Sequence, residues 1–234
     1  MVVAPSHPTP VHEPSSKRWE NTGGGVEGME LVKEPSMGYA IKNVITEQEL
    51  DRALAFERSI FGDSQHMKLA EYSKENWLRR MTSFSDLMLY AEANGEVVAI
   101  AFGRVEAGGN ITVGPVATAP GFRKQGLASE MLALLETRAR ERGVCNLTLG
   151  AVQGAEGFYI KCGYTPFLFV QTKPPHTLDA LRALNTKYRE VWNYDNGTDI
   201  RLMIETNRID RELQHAYDAA FPGCSTQTVF MKSI

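Results

Sequence analysis

Long apolar runs, a signal-like start, paired cysteines and an excess of either charge are all missing from this chain, and each absence removes a class of function. No apolar stretch approaches the roughly 18 residues of a membrane-crossing helix, so no membrane partner is expected. The start, Met1-Val2-Val3-Ala4-Pro5-Ser6-His7-Pro8, lacks the basic opening and apolar core of a signal peptide, which sets the expectation of a cytoplasmic protein. Cys145, Cys162 and Cys224 are odd in number and include no Cys-x-x-Cys pair. That is neither a disulfide framework nor a zinc site, so reduced thiols and no metal are expected, with Cys145 and Cys162 as small core residues. A net charge of -3 over 234 residues lacks the strongly basic footprint of a nucleic-acid partner, while leaving room for a local basic patch.

What is present is the composition of an ordinary soluble globular chain, 43% hydrophobic and 23% charged, long enough for one good-sized domain with a small appendage. Residues 1–36 are rich in Pro, Ser, Gly and Glu, bury too little apolar surface to offset the entropy of ordering, and read as a disordered tail. From Gly38 the pattern becomes regular. A strand at 39–45 leads to Thr46, which with Glu49 forms a capping box for a helix carrying Leu50, Ala53, Leu54, Phe56 and Ile60 on its apolar face. A second helix follows Ser73. Asn94-Gly95 between two apolar runs predicts a hairpin, since both turn positions need positive φ. Gly108-Gly109-Asn110 turns the chain into a strand that runs to Thr118. A Gly-rich loop, Ala119–Gln125, then opens a long helix at about Gly126, closed by Gly143. Strand, short helix and strand follow, to Thr172.

The order is strand, two helices, three antiparallel strands, helix, strand, helix, strand. It predicts an α+β fold, a mixed and mostly antiparallel sheet flanked by helices, over 37–172. Residues 173–234 read α-β-β-α-β and form either a small second domain or an extension of the main sheet. This region is expected to cover an acceptor groove, lengthen the sheet or make a homodimer contact, and the sequence does not choose among these.

The loop from Val116 to Ser129 carries the clearest chemistry. A strand delivers small residues to the start of a helix, whose first amides have no intrahelical partner and whose dipole adds positive character. That is an anion site, and Arg123 and Lys124 add charge to it. There is no Gly-Lys-Ser/Thr of a nucleotide P-loop and no Gly-x-Gly-x-x-Gly of a dinucleotide fold. The spacing Arg123-Lys124-Gln125-Gly126-Leu127-Ala128 instead matches R/Q-x-x-G-x-G/A, and here the chain resembles the GNAT superfamily of N-acetyltransferases. A second segment, Ala155-Glu156-Gly157-Phe158-Tyr159-Ile160-Lys161-Cys162-Gly163-Tyr164, resembles that family's A-x-x-F-Y-x-K-x-G-F, in the expected order.

The resemblance implies acyl transfer from acetyl-CoA to an amine, of a small molecule or a protein, with acetyl-CoA as cosubstrate. It implies that backbone amides from Lys124 to Ser129, with Arg123, Gln125, Gly126, Leu127 and Ala128 in the loop, hold the diphosphate. It implies that Val116 and Thr118 pair with the pantetheine arm where the sheet splays. An amide near Val116 or Ala117 would meet the oxyanion. Gly114-Pro115 suits such a break, because Pro removes a ladder donor. Tyr159 is the implied general acid for the leaving thiolate, the alternative being a Tyr that packs against the coenzyme. Where the family often has Asn, this chain has Val152, with Gln153 beside it as a replacement contact. The base is not visible: Glu92 and Glu106 are candidates that also read as ordinary strand residues, and His66 and His215 read as solvated or structural. The other reading is a non-catalytic acyl-CoA sensor.

Overall fold

A computed structural model describes residues 38–62, 72–106 and 109–234. The predicted tail, His66 and Gly108 lie outside the described residues. Among the described residues, nine strands form one sheet: β1 (Ala40–Asn43), β2 (Met88–Ala93), β3 (Glu96–Val105), β4 (Ile111–Thr118), β5 (Asn146–Gly150), β6 (Thr165–Thr172), β7 (Arg189–Asp195), β8 (Ile200–Glu205) and β9 (Ser225–Ser233). Their order across the sheet is β1-β2-β3-β4-β5-β9-β6-β8-β7. All neighbours are antiparallel except β4 and β5. This is the mixed, mostly antiparallel sheet expected from the sequence.

Six α-helices of the described residues flank it: α1 (Glu47–Phe61), α2 (Lys74–Phe84), α3 (Leu127–Glu141), α4 (Glu156–Lys161), α5 (Leu178–Leu184) and α6 (Arg211–Ala220). Local chemistry sets most boundaries. Thr46 accepts from the Glu49 amide while the Glu49 carboxylate accepts from the Thr46 amide, so the capping box at α1 is complete. At the other end of α3, the Gly143 amide reaches Arg140 and the Val144 amide reaches Ala139, closing the helix through a left-handed glycine. Asn94 and Gly95 take φ of 51° and 80°, as the β2–β3 turn requires.

The helices divide between the faces. α1 and α2 cover the front of β2–β4 through Leu50, Ala53, Leu54 and Trp77, against Tyr90, Ile100 and Phe102. On the back, Leu127, Met131 and Leu135 of α3 and Tyr159 of α4 meet Leu89, Ala101, Leu147 and Phe230. α5 and α6 extend that back layer with Leu181 and Tyr217 over Leu168, Leu202 and Ile204. The front of β9, β6, β8 and β7 carries Phe167, Phe169, Met203 and Val229, and no helix covers it among the described residues.

The C-terminal strand joins the two parts of the chain. β9 lies between β5 and β6 and pairs with both, Leu149 opposite Phe230 on one side and Phe167 opposite Val229 on the other. Glu156 of α4 and Arg211 of α6 add an ion pair across the same seam, the Glu156 side chain being buried. One expectation fails: Cys145 is exposed, because it lies in the turn between the α3 cap and β5 rather than under the sheet. All three thiols are free.

Candidate functional site

The sheet opens between β4 and β5. Their pairing consists of Ile111 with Leu147 and Thr112 with Thr148, and stops there. On its other edge β4 stays with β3 to the end, Ala101 opposite Val116, Ile100 opposite Ala117 and Ala99 opposite Thr118. The separation begins at a bulge in β4, where Gly114 and Pro115 together oppose the single Phe102. Proline suits that position because it has no N–H to leave unpaired.

Register decides which backbone groups the opening frees. In an antiparallel ladder, opposed pairs alternate between exchanging hydrogen bonds and exchanging none. The Ala119 amide donates to Val98 at 2.8 Å, so the pair one step earlier, Thr118 with Ala99, is a non-bonded one. Ala117 then bonds to β3, whereas Val116 and Thr118 turn N–H and C=O toward the edge that β5 has left. The Thr118 carbonyl bears this out by accepting from Arg123 Nε at 3.0 Å. Ala117 points its side chain into the core beneath α1, so of the two candidates near the oxyanion only Val116 directs an amide to the opening.

Beyond Thr118 the chain makes a short 3-10 turn, Pro120–Phe122, and then the loop that starts α3. Lys124 and Gly126 adopt φ of 62° and 89°, which turns successive amides outward. No side chain caps α3, and its first internal bond runs from the Glu130 amide to Gly126 at 3.0 Å. The amides of Leu127, Ala128 and Ser129 therefore have no partner in the helix. Arg123 through Gly126 and Ser129 are exposed, while Leu127 buries its side chain and offers only its backbone. Gln125 braces the loop by donating to the Gly121 carbonyl at 2.8 Å. Ser129 Oγ lies 3.7 Å from Cys162 Sγ, which sets the helix start against α4.

A cavity of about 310 Å³ occupies the fork. Val113, Leu149, Tyr159 and Phe230 line it from the back layer, and Thr112, Thr148, Phe167 and Gln227 from the front, so it passes between β4 and β5. Arg123–Ser129 do not line it. Tyr159 packs its ring against Phe158, Tyr164 and Phe230 and makes no hydrogen bond through its hydroxyl among the described residues. Burial, helped by the nearby Cys162, pushes this phenol up to about 12. It is therefore fully protonated at neutral pH and a weaker acid than free tyrosine. Val152 lies at the cavity wall, exposed, with Gln153 at the first position of the turn into α4.

Residues 50–164 match the model of the Acetyltransferase (GNAT) family. That segment is thus matched to the GNAT acetyltransferases, the family that the Arg123–Ala128 and Ala155–Tyr164 motifs resemble. The matched GNAT segment spans α1 to the residue before β6, and so contains the fork, the loop and Tyr159. Among curated proteins, the uncharacterized protein YyaT of Bacillus subtilis (strain 168) is 28% identical over 141 residues, which cover 59% of this chain and 92% of YyaT. Among solved structures, the PaiA N-acetyltransferase from Thermoplasma acidophilum in complex with coenzyme A is 16% identical, with TM-score 0.43 over 72% of this chain and 99% of that one. The N-acetylglutamate synthase from Neisseria gonorrhoeae, complexed with coenzyme A and N-acetyl-glutamate, is 11% identical, with TM-score 0.44 over 84% of this chain and 35% of that one.

Within the GNAT domain, two candidate bases lie elsewhere. Glu92 on β2 is held by Lys42 at 2.9 Å and Arg52 at 2.8 Å, and these partners keep its carboxyl below the usual range. Glu106 pairs with the buried Arg104 at 3.3 Å, beyond the end of β3. Neither lines the cavity. Sequence reasoning did not find Phe167, Met203, Gln227, Val229 and Met231, which the C-terminal strands bring to the fork. Their alternation along β6, β8 and β9 signals one shared face, but nothing local pairs that face with β4. No group of three or more His, Cys, Asp or Glu that could hold a metal occurs among the described residues. No helix there is long and apolar enough to cross a membrane.

Proposed function

We propose that this chain moves an acetyl or other acyl group directly from coenzyme A to the nitrogen of an amine. The observation that carries the reading is the edge of β4 that β5 leaves at Val116 and Thr118, running on into the amides at the start of α3 that have no intrahelical partner. That strip offers donors and acceptors in the order an acyl-coenzyme A presents its thioester, amide-bearing arm and diphosphate. Lys124 to Ser129 hold the diphosphate with backbone N–H groups, and Arg123 and Lys124 add positive charge. Val116 and Thr118 take the pantetheine arm as an added strand.

The amine nitrogen attacks the thioester carbonyl carbon, its C–S bond breaks, and the amine proton leaves to solvent. The Val116 amide faces the developing oxyanion. Tyr159 shares its proton with the departing sulfur as the C–S bond lengthens, and solvent completes the protonation; the residue lines the cavity and its hydroxyl has no competing partner among the described residues. The match of residues 50–164 to the acetyltransferase family supports this reaction class. Isothermal titration with acetyl-CoA, followed by release of free thiol with a panel of amines, tests it. Saturable binding and amine-dependent thiol release are expected. Binding without release by any amine would favour an acyl-CoA sensor, and no binding would overturn the reading.

A further inference from the structure

The two ends of the cavity differ in chemistry. The back end, at Tyr159, is the thioester's place in the reading above. The front end is walled by Phe61 and Tyr72, at the end of α1 and the approach to α2, and by Phe167, Met203, Val229 and Met231 from the C-terminal strands. The residues that line the cavity, among those described, include no Asp, Glu, His, Lys or Arg. Thr112 and Thr148 face each other at 3.3 Å, so their hydroxyls are engaged. Gln227 is exposed and lies over Gly150, where an added Cβ would stand 2.5 Å from its Nε2. Its amide makes no hydrogen bond to the described residues and is a polar group available where the front end meets solvent.

A protonated amine entering such walls loses its hydration and meets no anion in exchange among the described residues. A lysine-like amine, with pKa about 10.4, is almost entirely charged at pH 7, and no carboxylate among the described residues lines the cavity to take its proton. An amine already neutral at pH 7 meets neither obstacle. The geometry points to the front end as the acceptor site, taking a weakly basic amine carried on an apolar, uncharged body, with the Gln227 amide holding the nitrogen. This assignment rests on the acyl-transfer reading and goes beyond it by naming the substrate class.

The test compares 4-methylaniline with 4-methylcyclohexylamine, the same outline with a strongly basic nitrogen, and with lysine and spermidine. Wild-type protein and acetyl-CoA are used at pH 7. The expected result is a kcat/KM for the aromatic amine at least about tenfold above each of the others. Any cationic amine as the fastest acceptor would overturn the assignment. In a second arm, Gln227→Glu places a carboxylate at the exposed cavity mouth. The ratio of cationic to aromatic turnover should rise about tenfold with acetyl-CoA affinity unchanged, and an unchanged ratio would overturn the role of this position. Acetyl-CoA titration of the wild type separates the two claims. Absence of binding defeats the acyl-transfer reading itself, whereas binding with the wrong acceptor order defeats only the acceptor class.

Discussion

Replacing Tyr159 by Phe removes one hydroxyl from the cavity wall and leaves the ring that packs against Phe158, Tyr164 and Phe230. The hydroxyl makes no hydrogen bond to the described residues, so the cost in stability should be about 1 kcal/mol or less. The kinetic cost is different. With the phenol near 12 and a coenzyme thiol near 8.5, complete proton transfer from Tyr159 to a free thiolate is uphill by roughly 5 kcal/mol. Such a weak acid helps by partial transfer as the C–S bond lengthens, which places its contribution at the low end of general-acid effects, about 100-fold in kcat. Acetyl-CoA affinity should stay within about twofold, because the loop and the β4 edge are untouched. The assay is steady-state thiol release by wild type and Tyr159→Phe from pH 6 to 10, with calorimetric titration of acetyl-CoA alongside. A phenol at about 12 stays protonated throughout, so Tyr159 should impose no falling limb below pH 10. A mutant kcat equal to wild type, or a limb near pH 9 that disappears in the mutant, would refute the reasoning.

Three further outcomes are expected. Gly126→Val forces a β-branched residue into φ of 89°, at a cost of about 1–2 kcal/mol, although the new Cβ meets nothing within 4 Å. Acetyl-CoA Kd should rise at least about tenfold, while Gly121→Ala, also open but without positive φ, serves as an unaffected control. Glu57 on α1 is buried, and desolvation lifts its carboxyl from 4.5 to about 7. The unfolded chain then ionises at lower pH than the native one, so this group's contribution is complete below about pH 4.5, declines toward pH 7 and levels off above it. Glu57→Gln should remove that slope, gaining up to about 3 kcal/mol relative to wild type across the window, and parallel urea-stability curves would count against it. Glu156→Gln breaks the ion pair to Arg211 and leaves the guanidinium without its carboxylate. A loss of about 2 kcal/mol in denaturant stability is expected, less than for a fully buried pair because Arg211 is partly exposed.

Much of this architecture was legible because its causes are local. The Thr46–Glu49 box, the Asn94-Gly95 turn and the glycine that closes α3 each act within a few residues, and backbone sterics leave little choice there. The loop Arg123–Ala128 was legible for the same reason: a positive-φ glycine at a helix start is a short-range pattern with a chemical consequence. Gly114-Pro115 likewise marked the bulge at which β4 and β5 part. The choice between Val116 and Ala117 was not legible, since it depends on the parity of pairing with β3. Nor were the ion pairs of Glu92, whose partners Lys42 and Arg52 are far along the chain. The exposure of Cys145 depends on where the turn after α3 emerges from the layers.

The amino-acid sequence by itself determined the elements, their caps and turns, the outward amides of the loop before α3 and the match of residues 50–164 to the GNAT acetyltransferases. Each follows from interactions among residues close in sequence. Only the tertiary structure decided that β9 lies between β5 and β6, and so brings Phe167, Met203 and Gln227 to the fork opened by β4. Strand alternation specifies a face but not a neighbour. The neighbour is selected by how the apolar faces of distant segments can be buried together.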